Sequence, residues 1–143
     1  AGRGADLFII DDPHSEQDAK QNRADVFLPA WEWFQSGPIQ RLMPGGAIIV
    51  VMTRWSKLDL TGQIMDQMTK NDEAEPWEIV EFPAILTDKK GQERALWPEF
   101  WELEELQQKR SVLDIRYWNA QYLQNPTSEE GALIKREWWN IWE

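Results

Sequence analysis

The sequence predicts an α/β fold: a parallel sheet flanked by helices. Three observations carry that expectation. Two apolar runs, Leu7–Ile10 and Ala47–Met52, lack the alternation of a half-exposed strand, which is the pattern of strands covered on both faces. Residues 11–46, between the runs, are mostly helical in pattern. That is the spacing of a strand–helix–strand crossover, which puts both strand ends on one edge of the sheet. Finally, Leu60, Ile64 and Met68 recur at i, i+4 and i+8 within Leu58–Lys70, giving a helix with one apolar face.

The elements follow in order. Asp6–Ile10 is a short buried strand, stopped by Asp11, Asp12 and Pro13. Ser15 and the acid-rich turn after it suit a helix start. Leu28–Met43 reads as a helix broken at Gly37-Pro38. Pro44, Gly45 and Gly46 then turn the chain into the second strand, which Thr53 ends. Asn71–Pro76 is an acidic loop, and Trp77–Ala84 a third strand, alternating from Ile79 to Phe82. Thr87–Arg94 is an exposed turn. "ELEELQQKR" and "LDIRYWNAQYLQ" are two further helices, and "NPTSEEGALIKREWW" is an extended exit. Three strands make a small sheet, so part of the fold is expected to lie N-terminal to this sequence.

Composition narrows the chemistry. The 143 residues suffice for one domain with a real core, and 42% hydrophobic with 28% charged residues reads as soluble and globular. No apolar run approaches the ~18 residues of a membrane helix, and there is no signal-peptide pattern. A start at Ala1 rather than Met points to a processed product or a piece of a longer chain. The absence of cysteine excludes disulfides, thiolate metal sites and cysteine nucleophiles. The single histidine, His14, excludes a His-rich metal cluster and reads as a polar turn residue. A formal net charge of −10 makes the chain a poor non-specific DNA binder, because phosphate contacts need clustered Lys and Arg. Ten tryptophans are far above ordinary usage. Trp97, Trp101, Trp138, Trp139 and Trp142 lie in the C-terminal third near charged residues, either as amphipathic packing or as a docking surface.

In an open parallel sheet, ligands gather at the C-terminal ends of the strands. Asp11, Asp12 and Thr53 fall there. Asp11 is a hard oxygen ligand suited to Mg²⁺. The side chain of Asp12 diverges from its neighbour and can orient or deprotonate a water attacking a phosphate. Four apolar residues followed by two acids have the general shape of a Walker B strand; a plain strand-end turn explains them as well. Thr53 can sense a nucleotide's terminal phosphate region through water, and Arg54 can carry the shift to a partner surface. The alternatives are a strand-end cap and a surface charge. Phospho-accepting receiver domains also place an acid pair after a strand. They further need an acceptor Asp on an intervening strand and a later Lys, whereas here the third strand ends in Pro83 and Ala84. A two-metal nuclease needs more converging acids than the pair, and Glu78 and Glu81 are expected to face solvent.

The ordered set "GRGADLFIIDDPH", "PGGAIIVVMTRW", "DLTGQI", "ALWPEFW", "YWNAQYLQNPT" and "EEGALIKREWW" resembles the large terminase subunit of tailed bacteriophages, the ATP-driven motor that packages DNA. The resemblance covers almost the whole chain. It implies a partial P-loop NTPase fold of the ASCE type, lacking the N-terminal Walker A half. Residues 1–124 would be the C-terminal half of the ATPase domain, and 125–143 the linker toward a nuclease domain. Leu7–Asp12 match the Walker B segment, with Asp11 on the Mg²⁺ of Mg-ATP. Asp12 matches the catalytic carboxylate, often Glu in the family and here one methylene shorter. Thr53 matches the coupling motif. Arg3 is a candidate trans-acting arginine finger, its alternative a solvated loop charge. ATP and Mg²⁺ are the implied cofactors. Double-stranded viral DNA, the portal protein and the small terminase subunit are the implied partners, around a homo-oligomeric ring in the host cytoplasm.

Two departures matter. No G-x-x-x-x-G-K-[ST] phosphate loop occurs, and Gly45-Gly46 precedes a strand rather than a helix. No acidic nuclease constellation follows Trp142. The chain alone is therefore expected to bind ATP weakly and hydrolyse little, since the loop's N–H groups and Lys supply most of the phosphate electrostatics. A non-catalytic prophage remnant, or a Trp-rich scaffold that docks a partner, is the competing expectation.

Overall fold

The computed structural model describes residues 3–21 and 23–127. Trp138, Trp139, Trp142 and the exit segment from residue 128 onward lie outside the described residues. The elements run β1 (Ala5–Asp11), α1 (Glu16–Gln21), α2 (Ala24–Ser36), α3 (Pro38–Arg41), β2 (Leu42–Val51), α4 (Leu60–Lys70), β3 (Ile85–Thr87), β4 (Glu93–Ala95), α5 (Leu103–Val112) and α6 (Ile115–Tyr117), followed by a π turn over Trp118–Tyr122. They form two compact units, Ala1–Ile79 and Val80–Glu143.

The first unit is a mixed α/β body. β1 and β2 pair in parallel from Leu7–Ala47 to Asp11–Val51, as the crossover spacing predicts. Alternate side chains point to opposite faces. Ile10, with Ile48, Val50 and Met52, turns inward onto Phe34 of α2 and onto Leu60 and Ile64 of α4. Trp31 and Trp77 close the margin of this cluster; Trp31 stacks on Phe34 at 5.8 Å between ring centroids. The amphipathic stripe read in Leu58–Lys70 therefore packs as expected.

Several local expectations are corrected. The strands are not buried on both faces: Leu7, Ile9, Ile49 and Val51 share the outer face and stay exposed, Ile9 at 65%. Their apolar character does not by itself cover that face. Pro44, Gly45 and Gly46 do not turn the chain ahead of β2 but lie within it. Between the Ala5–Leu42 and Leu7–Ala47 pairs, β1 supplies only Asp6 while β2 supplies Met43 to Gly46, a bulge. Gly45 sits there at φ +79°, a left-handed value that glycine adopts without steric cost. The helix expected at Leu28–Met43 starts at Ala24, tolerates Pro29, and stops at Gly37. Pro38 then opens the short α3, and Leu42 and Met43 belong to the strand.

The second unit corrects the third strand. Trp77–Ala84 is not a strand; Val80 and Phe82 are exposed. Pro83 has no N–H to give a ladder. Pairing begins only after it, where Ala84 donates to Tyr122 O at 2.6 Å and accepts from Leu96 N at 2.9 Å. β3 then pairs antiparallel with β4, Ile85 opposite Ala95 and Thr87 opposite Glu93, so this hairpin does not extend the parallel pair. Asp88 holds its turn by accepting from Lys90 N and Gln92 N. The expected helix α5 begins with a capping box between Glu102 and Glu105. The helix expected from Leu113 to Gln124 breaks into α6 and the π turn, closed by Leu123 N donating to Trp118 O. That turn carries Trp118 into a core with Ile85, Ala95 and Leu106, where it stacks on Tyr122 at 4.6 Å.

Candidate functional site

The parallel register puts Asp11 opposite Val51, where β1 ends. Asp12, the next residue, sits at φ 40°, a left-handed value that Asp tolerates better than most residues. Its backbone N–H donates to Val51 O at 2.9 Å, and its Oδ1 accepts from Thr53 N at 3.1 Å. Asp12 and Thr53 therefore meet at the shared C-terminal edge. The two acids diverge: Asp11 is exposed on the outer face with Ile9, while Asp12 leans across to the neighbouring strand. Arg3 is exposed ahead of β1. Among the described residues no group of three or more His, Cys, Asp or Glu side chains could hold a metal ion by itself.

His14 is buried, not a solvated turn residue. Its Nε2 accepts from Leu60 N at 2.8 Å, and its ring meets Phe27 edge-on at 5.0 Å. An imidazole accepting at Nε2 is neutral, with its proton on Nδ1. Burial pushes its pKa below the ordinary histidine range, against the opposing pull of Asp59 and Asp18.

Arg54 is likewise buried, which excludes the surface-charge alternative and turns its guanidinium to Asp59 instead of a partner surface. Its Nε donates to both oxygens of Asp59, at 3.2 and 3.0 Å, and a further guanidinium nitrogen donates to Ser56 O. Asp59 is fully buried, 0% exposed. It also accepts from Trp55 N, Ser56 N and Gly62 N, the last as the N-cap of α4. One carboxylate thus satisfies a loop, a guanidinium and a helix terminus. Gly62 makes room for this arrangement, since a Cβ there would overlap the Lys57 carbonyl. Sequence reading passed over Asp59 although it carried a signal: "DLTGQI" puts an Asp immediately before an amphipathic helix, the N-cap pattern.

Two short routes therefore run from the end of β1 to the N-terminus of α4. One passes from Asp12 to Thr53 and on through Arg54 to Asp59; the other is the single bond from His14 to Leu60. Beside them, an open cleft of about 670 Å³ lies between the end of β1 and α1–α2, lined among others by Ile9, Asp11, His14, Asp18, Pro29 and Trp33. The backbone N–H and hydroxyl of Ser15 hold the Asp18 carboxyl below its ordinary pKa. With carboxylates from Asp11 and Asp18 on its walls, the cleft repels a bare polyphosphate.

Comparison with known proteins adds no assignment to this geometry: no protein-family model matches the chain, and no curated protein sequence matches it.

Proposed function

We propose that the chain is the Walker B and coupling portion of a nucleotide-hydrolysing motor domain of the terminase large-subunit kind. The observation that carries this reading is the Asp12–Thr53 contact at the common C-terminal edge of two parallel strands, with Asp11 exposed beside it. Strand C-termini are where open α/β sheets hold their ligands. Mg²⁺ is commonly held by one or two carboxylates together with water and substrate phosphates, so two acids without a complete protein cage fit it.

In this reading Asp11 holds the Mg²⁺ of Mg-ATP, and the ion neutralises phosphate charge that the acid pair would otherwise repel. Asp12 orients the attacking water, and its hydrogen bond to Thr53 N–H fixes the carboxylate for that task. A change at Asp12 then reaches α4 through Thr53, Arg54 and Asp59. The phosphate cradle has no counterpart in this sequence, so turnover requires a polypeptide that supplies it. Arg3, ring assembly, portal and small-subunit contacts, and DNA as cargo belong to the same proposal.

The test joins this chain to the segment encoded immediately upstream and measures Mg²⁺-dependent ATP hydrolysis. Asp11→Ala should abolish it. Asp12→Asn keeps an acceptor oxygen for Thr53 N–H and a residue that tolerates positive φ, so it should fold normally yet lose hydrolysis. Near-normal turnover in both variants would leave the acid pair as a strand-end turn and nothing more.

A further inference from the structure

The proposed motor function leaves the aromatic surface of the second unit unexplained. Trp97 and Phe100 are each 62% exposed, and their rings stack at 5.1 Å between centroids with planes 24° apart. Phe100 meets Trp101 edge-on at 5.4 Å. Phe100 N and Trp101 N both donate to Trp97 O, so one tight turn sets the spacing of all three rings. The platform is thus pre-organised, and a ligand need not order it. Contiguous exposed apolar surface marks interaction sites, and Trp is enriched among the residues that anchor them.

The chemistry of the occupant can be read from the surroundings. Lys109 places its Nζ 4.2 Å from the centroid of Trp101, so one member of the cluster already carries a cation on its ring. Residues 97–110 contain Glu99, Glu102, Glu104 and Glu105, all exposed, against Lys109 and Arg110, and Arg110 is paired with Glu93. Glu102 and Glu105 are committed to the cap of α5, which leaves Glu99 and Glu104 facing outward. Guanidinium groups stack flat on aromatic faces and pair with carboxylates, and this aromatic turn sits in an acidic stretch of the chain. The same carboxylates repel the phosphates of a nucleic acid.

We propose that the Trp97–Phe100 platform docks an arginine-rich peptide segment of a partner protein.

The test uses the whole chain, labelled for NMR of the indole N–H groups, with acetylated tetra-arginine amide as the probe. The Trp97 resonance should shift saturably, with a Kd below about 1 mM that weakens as salt rises. Trp97→Ala, which keeps the net charge, should weaken binding at least tenfold while leaving the thermal midpoint in place. Phe100→Ser should do the same, and Glu99→Gln with Glu104→Gln should weaken it severalfold. Equal binding of tetra-arginine by Trp97→Ala and Phe100→Ser would reduce the effect to the chain's overall negative charge and overturn the proposal. Tighter binding of a thymidine decanucleotide or of cellotetraose would overturn it in favour of a base-stacking or sugar-stacking surface.

Discussion

His14 accepts the backbone N–H of Leu60 through Nε2 at 2.8 Å, so the turn after the acid pair is fastened to the first residue of α4. The bond requires a neutral ring, and burial lowers the pKa of that ring. The unfolded chain, with an ordinary histidine pKa of about 6.5, therefore takes up a proton before the folded one does. Stability rises with pH wherever the unfolded state binds more protons. The contribution of His14 is full above about pH 6.5 and falls as the pH drops toward the folded pKa, at up to about 1.4 kcal/mol per pH unit. Asp18 and Asp114, whose carboxyls hydrogen bonds to Ser15 and Arg116 hold low, lose their contributions only below about pH 4. Urea unfolding from pH 7 to 5 should show falling stability in the natural chain and a flatter profile in His14→Gln, whose amide oxygen can still accept from Leu60. Parallel profiles would exclude His14 as the titrating group.

Asp59 and Arg54 present a different case, because neither can be removed without orphaning the other. Asp59→Ala deletes a buried carboxylate, leaves the Arg54 guanidinium without a counter-charge, and uncaps α4. Breaking a buried pair in this way costs about 3–5 kcal/mol, a large part of a domain's stability. Asp59→Asn keeps an acceptor for the cap and loses less, so denaturation midpoints should rank natural chain, Asn, Ala in descending order. A midpoint unchanged in Asp59→Ala would mean that the pair contributes nothing.

These two relationships show where sequence reading succeeds and where it stops. The parallel pairing of β1 with β2 and the stripe of α4 were legible because periodicity and crossover spacing are local signals. That Asp11, Asp12 and Thr53 fall at one edge followed from that topology; the hydrogen bond between Asp12 and Thr53 was not read from it. The burial of His14 and Arg54 was not legible, because each is defined by a partner that only the folded chain supplies: Leu60 for one, Asp59 for the other. The error at Trp77–Ala84 has another cause. The stretch from Ile79 to Phe82 reads as an alternating strand, but a strand needs a partner with free backbone groups, and Pro83 has no N–H to offer one. The exposure of Ile9 and Ile49 was hidden for a related reason, since an apolar run states a preference for cover and not what provides it.

Gly62 offers a test that separates helix propensity from packing. In the first turn of α4, Gly→Ala should by propensity stabilise the helix by up to about 1 kcal/mol. Here the added Cβ meets the Lys57 carbonyl, a backbone atom that cannot swing aside. Relief requires moving the turn that places Asp59, and with it the bonds from Trp55, Ser56 and Gly62 to that carboxylate. The overpacking cost, about 1–3 kcal/mol, should outweigh the propensity gain, so Gly62→Ala lowers the urea midpoint. Gly45→Ala is the comparison: its Cβ would meet nothing within 4 Å, and only the φ of +79° opposes it, at about 1–2 kcal/mol. Both variants should lower the midpoint, and only Gly62→Ala should also flatten the pH profile expected of His14, because it alone disturbs the N-terminus of α4 where Leu60 is bound. A raised midpoint in Gly62→Ala would show that the turn yields freely and that Asp59 is not held by it.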